Sequence, residues 1–303
     1  MSDVGQHLLS GALSGFTSSL LFQPFDLIKT RLQQGDAQLS TTNQAGAIRS
    51  TARSIVSSSG VFGLWRGTSA TLIRNVPGIA LYFTSLSQVR GFMATSPLFS
   101  AVQNRDLERH SSVLPVLTGP GNLLAGATTR VTVGFALNPF SVLKARYESN
   151  LHAYGSLTSS VLSIVRGGPS ELFRGFLASS LRDAPYAGLF LVFYEATKHE
   201  AAAVLPPSSP LVYAALHSGS AAVAGTFATL ATHPFDVIKT RMQVRREVKY
   251  RGLIPTVLTV WKERGIHGFF DGVSLRLSRK ILSSAVGWAV YESLLLFGRT
   301  RSR

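Results

Sequence analysis

The stretch Pro24-Phe25-Asp26-Leu27-Ile28-Lys29-Thr30-Arg31 decides the fold, because two close copies of it follow further along the chain. The copies begin 115 and then 95 residues later, and they read Pro139-Phe140-Ser141-Val142-Leu143-Lys144-Ala145-Arg146 and Pro234-Phe235-Asp236-Val237-Ile238-Lys239-Thr240-Arg241. We call each copy a proline motif. Self-similarity at a nearly fixed period indicates a repeat architecture, so the sequence predicts a tandem of three units of roughly one hundred residues.

The composition favours a membrane protein built from helices. Of the 303 residues, 45% are hydrophobic and only 15% are charged, and the mean hydropathy is +0.21. This proportion of charged residues is low for a soluble protein. The chain has no cysteine, which excludes a disulfide scaffold, a thiolate metal site and a cysteine nucleophile.

The net charge of +15 has three possible partners: nucleic acid, an anionic membrane surface or an anionic cargo. Nucleic acid is disfavoured, because the basic residues recur singly among apolar segments and form no basic stripe. No catalytic triad, phosphate-binding loop or metal-ligand cluster is placed by a motif, and His233 fits a polar contact within a helix. We therefore predict a protein that is not an enzyme and that has no cofactor or metal site.

A helix is predicted from Leu8 to Gln33, kinked near its end by Pro24. Its length, about 39 Å at 1.5 Å per residue, is enough to cross the hydrocarbon of a bilayer. A shorter helix from Gln44 to Ser57 has amphipathic spacing and is predicted to lie flat on the membrane. No cleavable leader is visible from Met1 to His7, so we expect targeting information within the chain.

A second signature, Gly60-Val61-Phe62-Gly63-Leu64-Trp65-Arg66-Gly67, precedes an apolar helix predicted over 68–93. It recurs at Gly168–Gly175 and Gly265–Gly272, each time with an aromatic residue five positions after the first glycine. We call it the glycine motif. Each repeat is thus a kinked helix, a surface helix, a turn and a second helix, which gives six membrane spans. The predicted segments are repeat one (1–97), an intermembrane-space loop (98–117), repeat two (118–205), repeat three (206–299) and a basic tail (300–303).

Together the two motifs resemble those of the mitochondrial carrier family, over essentially the whole chain. The resemblance implies an all-α membrane protein with six transmembrane helices in three pseudo-threefold tandem repeats and three short matrix-side surface helices. It also implies alternating-access transport as a multi-pass protein of the mitochondrial inner membrane. A channel is the alternative transport class, but an open pore has no need of paired gates.

The resemblance implies a matrix gate made by the three proline motifs. Lysines supply every base, whereas one acid position holds a serine, so we expect two ion pairs and a weaker polar contact. The predicted matrix-gate residues are Asp26, Lys29, Ser141, Lys144, Asp236 and Lys239.

A mirrored gate on the even helices is eroded in this sequence. Its predicted residues are Ser87, Arg90, Glu195, Lys198 and Glu292, of which Glu292 and Arg90 form the one complete pair. We therefore expect the empty carrier to rest open to the intermembrane space.

Three arginines occupy one register, nine residues after the aromatic of each glycine motif: Arg74, Arg182 and Arg279. A guanidinium suits a carboxylate or a phosphate, and the neighbouring Asp183 can accept an ammonium. In the family this register contacts the substrate, and an Arg-Asp pair in the second repeat resembles that of amino-acid carriers. Tyr186 is expected to wall the site on one side.

Within the family, the runs 23–33, 74–78 and 182–188 resemble those of members that carry glycine for haem biosynthesis. The expected substrate is therefore glycine or a similar small zwitterion, imported into the matrix. Three arginines also suit a carboxylate or phosphate metabolite, and another amino acid or such an anion is the alternative. The resemblance further implies cardiolipin at the helix starts marked by Gly67, Gly175 and Gly272, and we expect a monomer.

Overall fold

The computed structural model describes residues 3–35, 44–96, 117–152, 156–204 and 210–283. The first repeat has the predicted order of elements. Helix α1 runs over Asp3–Gln33 with Pro24 inside it, α2 over Gln44–Ser59, a 3-10 turn over Val61–Trp65, and α3 over Thr68–Ala94. The start of the surface helix agrees with the sequence prediction, and its end lies two residues later.

The second repeat follows the same order with one break. Its elements are α4 (Gly119–Ala136), α5 (Asn138–Glu148), α6 (Leu157–Arg166), α7 (Pro169–Leu172) and α8 (Phe176–Val204). Leu137 separates α4 from α5, and its N–H donates to the carbonyls of Val133 and Phe135. Pro139 is the second residue of α5, where a missing N–H breaks no helical hydrogen bond, so a new helix starts where we predicted only a kink. Pro24 lies inside the continuous helix α1.

The third repeat contains α9 (Pro210–Val244), a 3-10 turn (Val248–Tyr250), α10 (Leu253–Arg264) and a second 3-10 turn (Gly265–Phe270). A last helix, α11, begins at 273 and is described as far as 283. The predicted basic tail (300–303), residues 98–116 of the predicted intermembrane-space loop and residues 284–299 of the predicted third repeat lie outside the described residues. In the described part of the chain, no helix combines the length and the apolar composition that a membrane crossing requires by hydropathy.

The chain divides into two compact units, which we describe separately. Unit one comprises Met1–Val76, Pro139–Gly175 and Val237–Arg303. Its core repeats one arrangement, in which the apolar residues of a proline motif pack on the surface helix that follows. Leu27 and Ile28 lie against Ile55 of α2, and the equivalent Val142 and Leu143 lie against Ile164 of α6.

Unit two comprises Pro77–Asn138 and Phe176–Asp236. Here α4 runs beside α8, and the rings of Phe135 and Phe176 meet edge to face with centroids 5.2 Å apart. Further along α8, Phe193 packs on Phe227 of α9. A small buried cluster joins Leu86 of α3, Ala125 of α4 and Leu117, which lies two residues before α4. Helix α8, which carries the polar residues Arg182 and Asp183, thus packs on α4 through Phe176 and on α9 through Phe193.

Candidate substrate site and gate

Arg279, on α11, donates from Nη1 to Oδ1 of Asp26 at 2.9 Å. The other carboxylate oxygen of Asp26 accepts from Nζ of Lys144 at 2.7 Å. The Asp26 carboxylate is 6% exposed, so these two cations replace much of its hydration. Asp26 and Lys144, both predicted as matrix-gate residues, are thus in contact, and the predicted substrate residue Arg279 contacts the same carboxylate.

Arg182, on α8, has two acidic partners in unit two. Its Nη1 donates to Oδ1 of Asp236 at 2.7 Å, while Nε and Nη2 donate to Asp183 at 2.7 and 2.9 Å. The contact with Asp183 is a bidentate fork, which is a strong geometry for a guanidinium and a carboxylate. One turn further along α8, Tyr186 stacks on Phe190.

Arg74, on α3, donates from Nε to the hydroxyl oxygen of Ser141 at 2.9 Å. It also lies beside Asn75, whose side chain donates to Ser19. Ser141 is the residue at which the second proline motif lacks an acid. Arg74 therefore meets a hydroxyl where each equivalent arginine meets an aspartate.

The three contacts share one cyclic order. The arginine of repeat one donates to the acid position of repeat two, that of repeat two to repeat three, and that of repeat three to repeat one. The predicted substrate residues therefore contact predicted matrix-gate residues directly. The sequence placed both sets by register, but it gave no sign that they bond to each other.

A second cyclic set was missed by the sequence analysis. The last arginine of each proline motif donates from Nε to the backbone carbonyl of the residue nine positions after the proline of another motif. Arg31 donates to Glu148 at 3.2 Å, Arg146 to Gln243 at 2.9 Å and Arg241 to Gln33 at 3.2 Å. The recurrence of arginine seven positions after each proline was the signal that could have revealed this set.

Acidic residues near the surface helices hold these arginines in repeats two and three. Arg146 pairs with Glu171, and Arg241 pairs with Glu263 at 3.0 Å and with Asp271 at 3.5 Å. Partial burial raises the pKa of the Glu263 carboxyl, but hydrogen bonds from Lys249 and Tyr250 and the nearby cations outweigh it. The pKa of Glu263 therefore lies below its ordinary value. Segment 44–67 of repeat one contains no acidic residue.

The residue nine positions after each proline also packs against the last glycine of a glycine motif. A Cβ on Gly67 would lie 2.8 Å from Cγ of Glu148, and one on Gly175 would lie 3.0 Å from Cγ of Gln243. Gly67 has φ +94°, a conformation that other residues rarely adopt. Close approach and backbone conformation thus explain these glycines, and nothing in them tests the predicted cardiolipin contacts.

The predicted intermembrane-space gate is sparsely connected in the described residues. Ser87, Glu195 and Lys198 are exposed, and Glu195 and Lys198 make no ion pair with any described residue. Nε of Arg90 is buried without a hydrogen-bond partner in the described part of the chain. Its predicted partner, Glu292, lies outside the described residues, so that pairing stays a prediction.

Comparison with known proteins now identifies the family. A model of the family described as mitochondrial carrier protein matches residues 2–97, 116–202 and 212–300. The chain belongs to the mitochondrial carrier family. This membership confirms the predicted all-α fold with three repeats, and it confirms that the chain is a carrier rather than an enzyme.

Several relatives of this carrier are named mitochondrial glycine transporter. One from Laccaria bicolor is 61% identical over 307 residues, which cover 99% of each chain. One from Emericella nidulans is 43% identical over 298 residues, covering 96% of this chain and 87% of the relative. One from Coccidioides immitis is 41% identical over 321 residues, covering 97% and 90% respectively.

Proposed function

We propose that this carrier moves glycine across the mitochondrial inner membrane into the matrix, by alternating access of six membrane-spanning helices. The observation that carries the proposal is full-length similarity to relatives named for glycine transport, with 61% identity over 99% of both chains in one case. Glycine is a small zwitterion, so its site needs a donor for a carboxylate and an acceptor for an ammonium. The described side chains offer both.

We propose Arg74, Arg182 and Arg279 as the carboxylate donors and Asp183 as the ammonium acceptor. Tyr186 would wall the site. Arg74 is the favoured donor, because its contact in the second proline motif is the hydroxyl of Ser141. A substrate carboxylate that replaces a hydroxyl gains a charge-assisted hydrogen bond, whereas at Arg182 or Arg279 it must compete with an aspartate.

The contacts of the arginines favour a zwitterion over an anion. Counted from the sequence, three arginines and one aspartate leave a positive excess that suits a dicarboxylate or phosphate. Two of the arginines, however, meet further carboxylates at Asp236 and Asp26, 2.7 and 2.9 Å away. Arg182 and Arg279 are therefore already engaged with carboxylates, which leaves fewer of their N–H donors for a second anionic group on a substrate.

Substrate binding would loosen the matrix gate through the same contacts. A carboxylate that draws Arg279 or Arg182 towards itself weakens the bond of that arginine to Asp26 or Asp236. At Asp26 the ammonium of Lys144 would then remain as the contacting cation, and closure would become easier to break. We propose that the gate comprises Asp26, Lys29, Ser141, Lys144, Asp236 and Lys239, and that the empty carrier rests open to the intermembrane space.

The remaining parts of the proposal follow the family resemblance. The carrier would act as a monomer, with repeats bounded at 1–97, 118–205 and 206–299 and with cardiolipin bound at the helix starts after Gly67, Gly175 and Gly272. A gate at the other end would use Ser87, Arg90, Glu195, Lys198 and Glu292. The imported glycine would supply haem biosynthesis.

Reconstitution tests the substrate directly. The purified protein in liposomes is expected to take up labelled glycine saturably, and faster than it takes up larger amino acids, phosphate or dicarboxylates. Robust uptake of an anion without uptake of glycine would contradict the proposal. A channel would instead show uptake that does not saturate.

Two variants and a matched control locate the site. Asp183→Asn and Arg182→Ala are expected to lower glycine uptake by about a hundredfold, since each removes a charged hydrogen-bond partner. Glu200→Gln, at an exposed residue of α8, is expected to transport as the unaltered protein does. Glycine should raise the unfolding temperature of the unaltered carrier and of Glu200→Gln. Full uptake by both site variants would move the site elsewhere.

A further inference from the structure

Glu148 is the most deeply buried acid near the matrix gate, with 1% of its side chain exposed. It ends α5 and lies nine residues after Pro139, where the first and third proline motifs have Gln33 and Gln243. The second motif therefore lacks an acid at Ser141 and gains one seven residues later on the same helix. Seven residues are about two helical turns, which return a side chain to nearly the same face.

Lys144 lies between these two positions, four residues before Glu148. Its Nζ is 2.7 Å from Oδ2 of Asp26 and 3.6 Å from Oε1 of Glu148. One ammonium thus lies between two carboxylates. The acid of α1 holds the shorter contact, and the acid of α5 holds the longer one.

The other partners of the Glu148 carboxylate are neutral and belong to α1. Nε2 of Gln23 donates to Oε1 at 3.0 Å, and the hydroxyl of Thr30 donates to Oε2 at 2.8 Å. The hydrogen bond from Arg31 to Glu148 goes to the backbone carbonyl of Glu148 and not to its carboxylate. The charged groups facing the carboxylate are therefore Lys144 on its own helix and Asp26 on α1.

These contacts differ in what happens when α1 and α5 separate. The pair of Lys144 with Asp26 joins two helices and must break. The pair of Lys144 with Glu148 lies within α5, four residues apart, and persists through any rigid movement of that helix. Without Glu148, separation would leave the Lys144 ammonium without a carboxylate in a partly buried place, which is costly.

We propose that Glu148 is a third carboxylate of the matrix gate, which receives Lys144 from Asp26 as the gate opens. This inference rests on the proposed transport function. Glu148 thus supplies the second repeat with the acid that its proline motif lacks at Ser141. Unlike the acids of the other two motifs, it would pair with a gate lysine when the gate is open. The first and third repeats have no such acid, because Gln33 and Gln243 stand at that position.

Two substitutions separate the charge of Glu148 from its shape. Glu148→Gln keeps the shape and removes the charge, whereas Glu148→Asp keeps the charge and shortens the side chain. If the charge matters, Glu148→Gln should lower glycine uptake by about tenfold and Glu148→Asp by much less. The opposite order, or full activity of Glu148→Gln, would overturn the inference while leaving glycine transport intact. Glu200→Gln serves as the matched control.

A second measurement needs no substrate and uses the absence of cysteine from the chain. Ser149 is fully buried beside Glu148, and its hydroxyl donates to the side-chain oxygen of Gln34, the residue that follows α1. A cysteine introduced by Ser149→Cys should react with a water-soluble maleimide only when the gate opens. We expect Glu148→Gln to slow this reaction by about tenfold. Removing a neighbouring negative charge would by itself speed a thiol reaction, so an unchanged or faster reaction would overturn the inference.

Discussion

The second and third repeats place their acids at different positions of one framework. In the third, Asp236 occupies the acid position of the proline motif and accepts from Arg182, while Gln243 lies two turns later. In the second, Ser141 occupies the acid position and accepts from Arg74, while Glu148 lies two turns later. The same helix positions thus hold acids in different arrangements, and in the second repeat one of the three proposed substrate arginines, Arg74, contacts a hydroxyl instead of a carboxylate.

The largest expected effect concerns the arginine seven positions after the proline, which all three proline motifs contain. Arg241 is fully buried and holds Glu263, Asp271 and the carbonyl of Gln33. Arg241→Ala would leave these acids without their common cation, and we expect it to lower the free energy of unfolding by about 3–5 kcal/mol. Thermal unfolding in detergent measures this effect. Arg53→Ala, at an exposed residue of α2, is the control, and equal stability of the two variants would contradict the shared framework.

A smaller effect is a difference in stability between two repeats when the last glycine of the glycine motif is replaced by alanine. Gly67→Ala would place Cβ 2.8 Å from Glu148, whereas Gly272→Ala would place it 3.4 Å from Lys29. Both glycines have positive φ, so both variants carry backbone strain of about 1–3 kcal/mol. We expect Gly67→Ala to be less stable than Gly272→Ala by about 1 kcal/mol, owing to overpacking. Thermal unfolding of both variants decides, and the reverse order would show that Glu148 packs loosely.

The smallest effect concerns Glu263, an acid of the third repeat with no acidic counterpart in residues 44–67 of the first repeat. Its pKa is lower in the folded protein than its ordinary value of 4.5. The carboxylate therefore stabilises the fold above pH 4.5, and this contribution is lost as pH falls through the lower folded pKa. Because a third of the side chain is exposed, we expect about 1 kcal/mol. Unfolding of Glu263→Gln across pH 3 to 7 should show a shallower acid dependence than the unaltered protein, and identical curves would count against this pair.

Much of this architecture could be predicted from the sequence because it repeats. Pro24, Pro139 and Pro234 fixed the period, and the aromatics Trp65, Phe173 and Phe270 fixed the register of the arginines. Each feature was weak alone and strong in three aligned copies. The order of helix, surface helix, turn and helix followed from the same alignment.

The bonds between repeats could not be predicted, because periodicity describes one unit and not its neighbours. The sequence predicted that Lys144 pairs with an acid, but it did not predict that Arg279 shares that acid. It singled out Ser141 as an exception without indicating that Arg74 would bond to it. Glu148 was overlooked because an acid at a helix end is ordinary on a surface, and only burial makes it unusual.

The most direct test of this account changes Ser141 alone and measures glycine binding. Ser141→Asp makes the second acid position like the other two, so glycine must displace an aspartate from Arg74. We predict that the glycine concentration for half-maximal stabilisation against heat rises by about tenfold in Ser141→Asp. It should change by less than about twofold in Ser141→Ala, which removes only a neutral hydrogen bond. Equal glycine affinity in Ser141→Asp and the unaltered carrier would contradict the account.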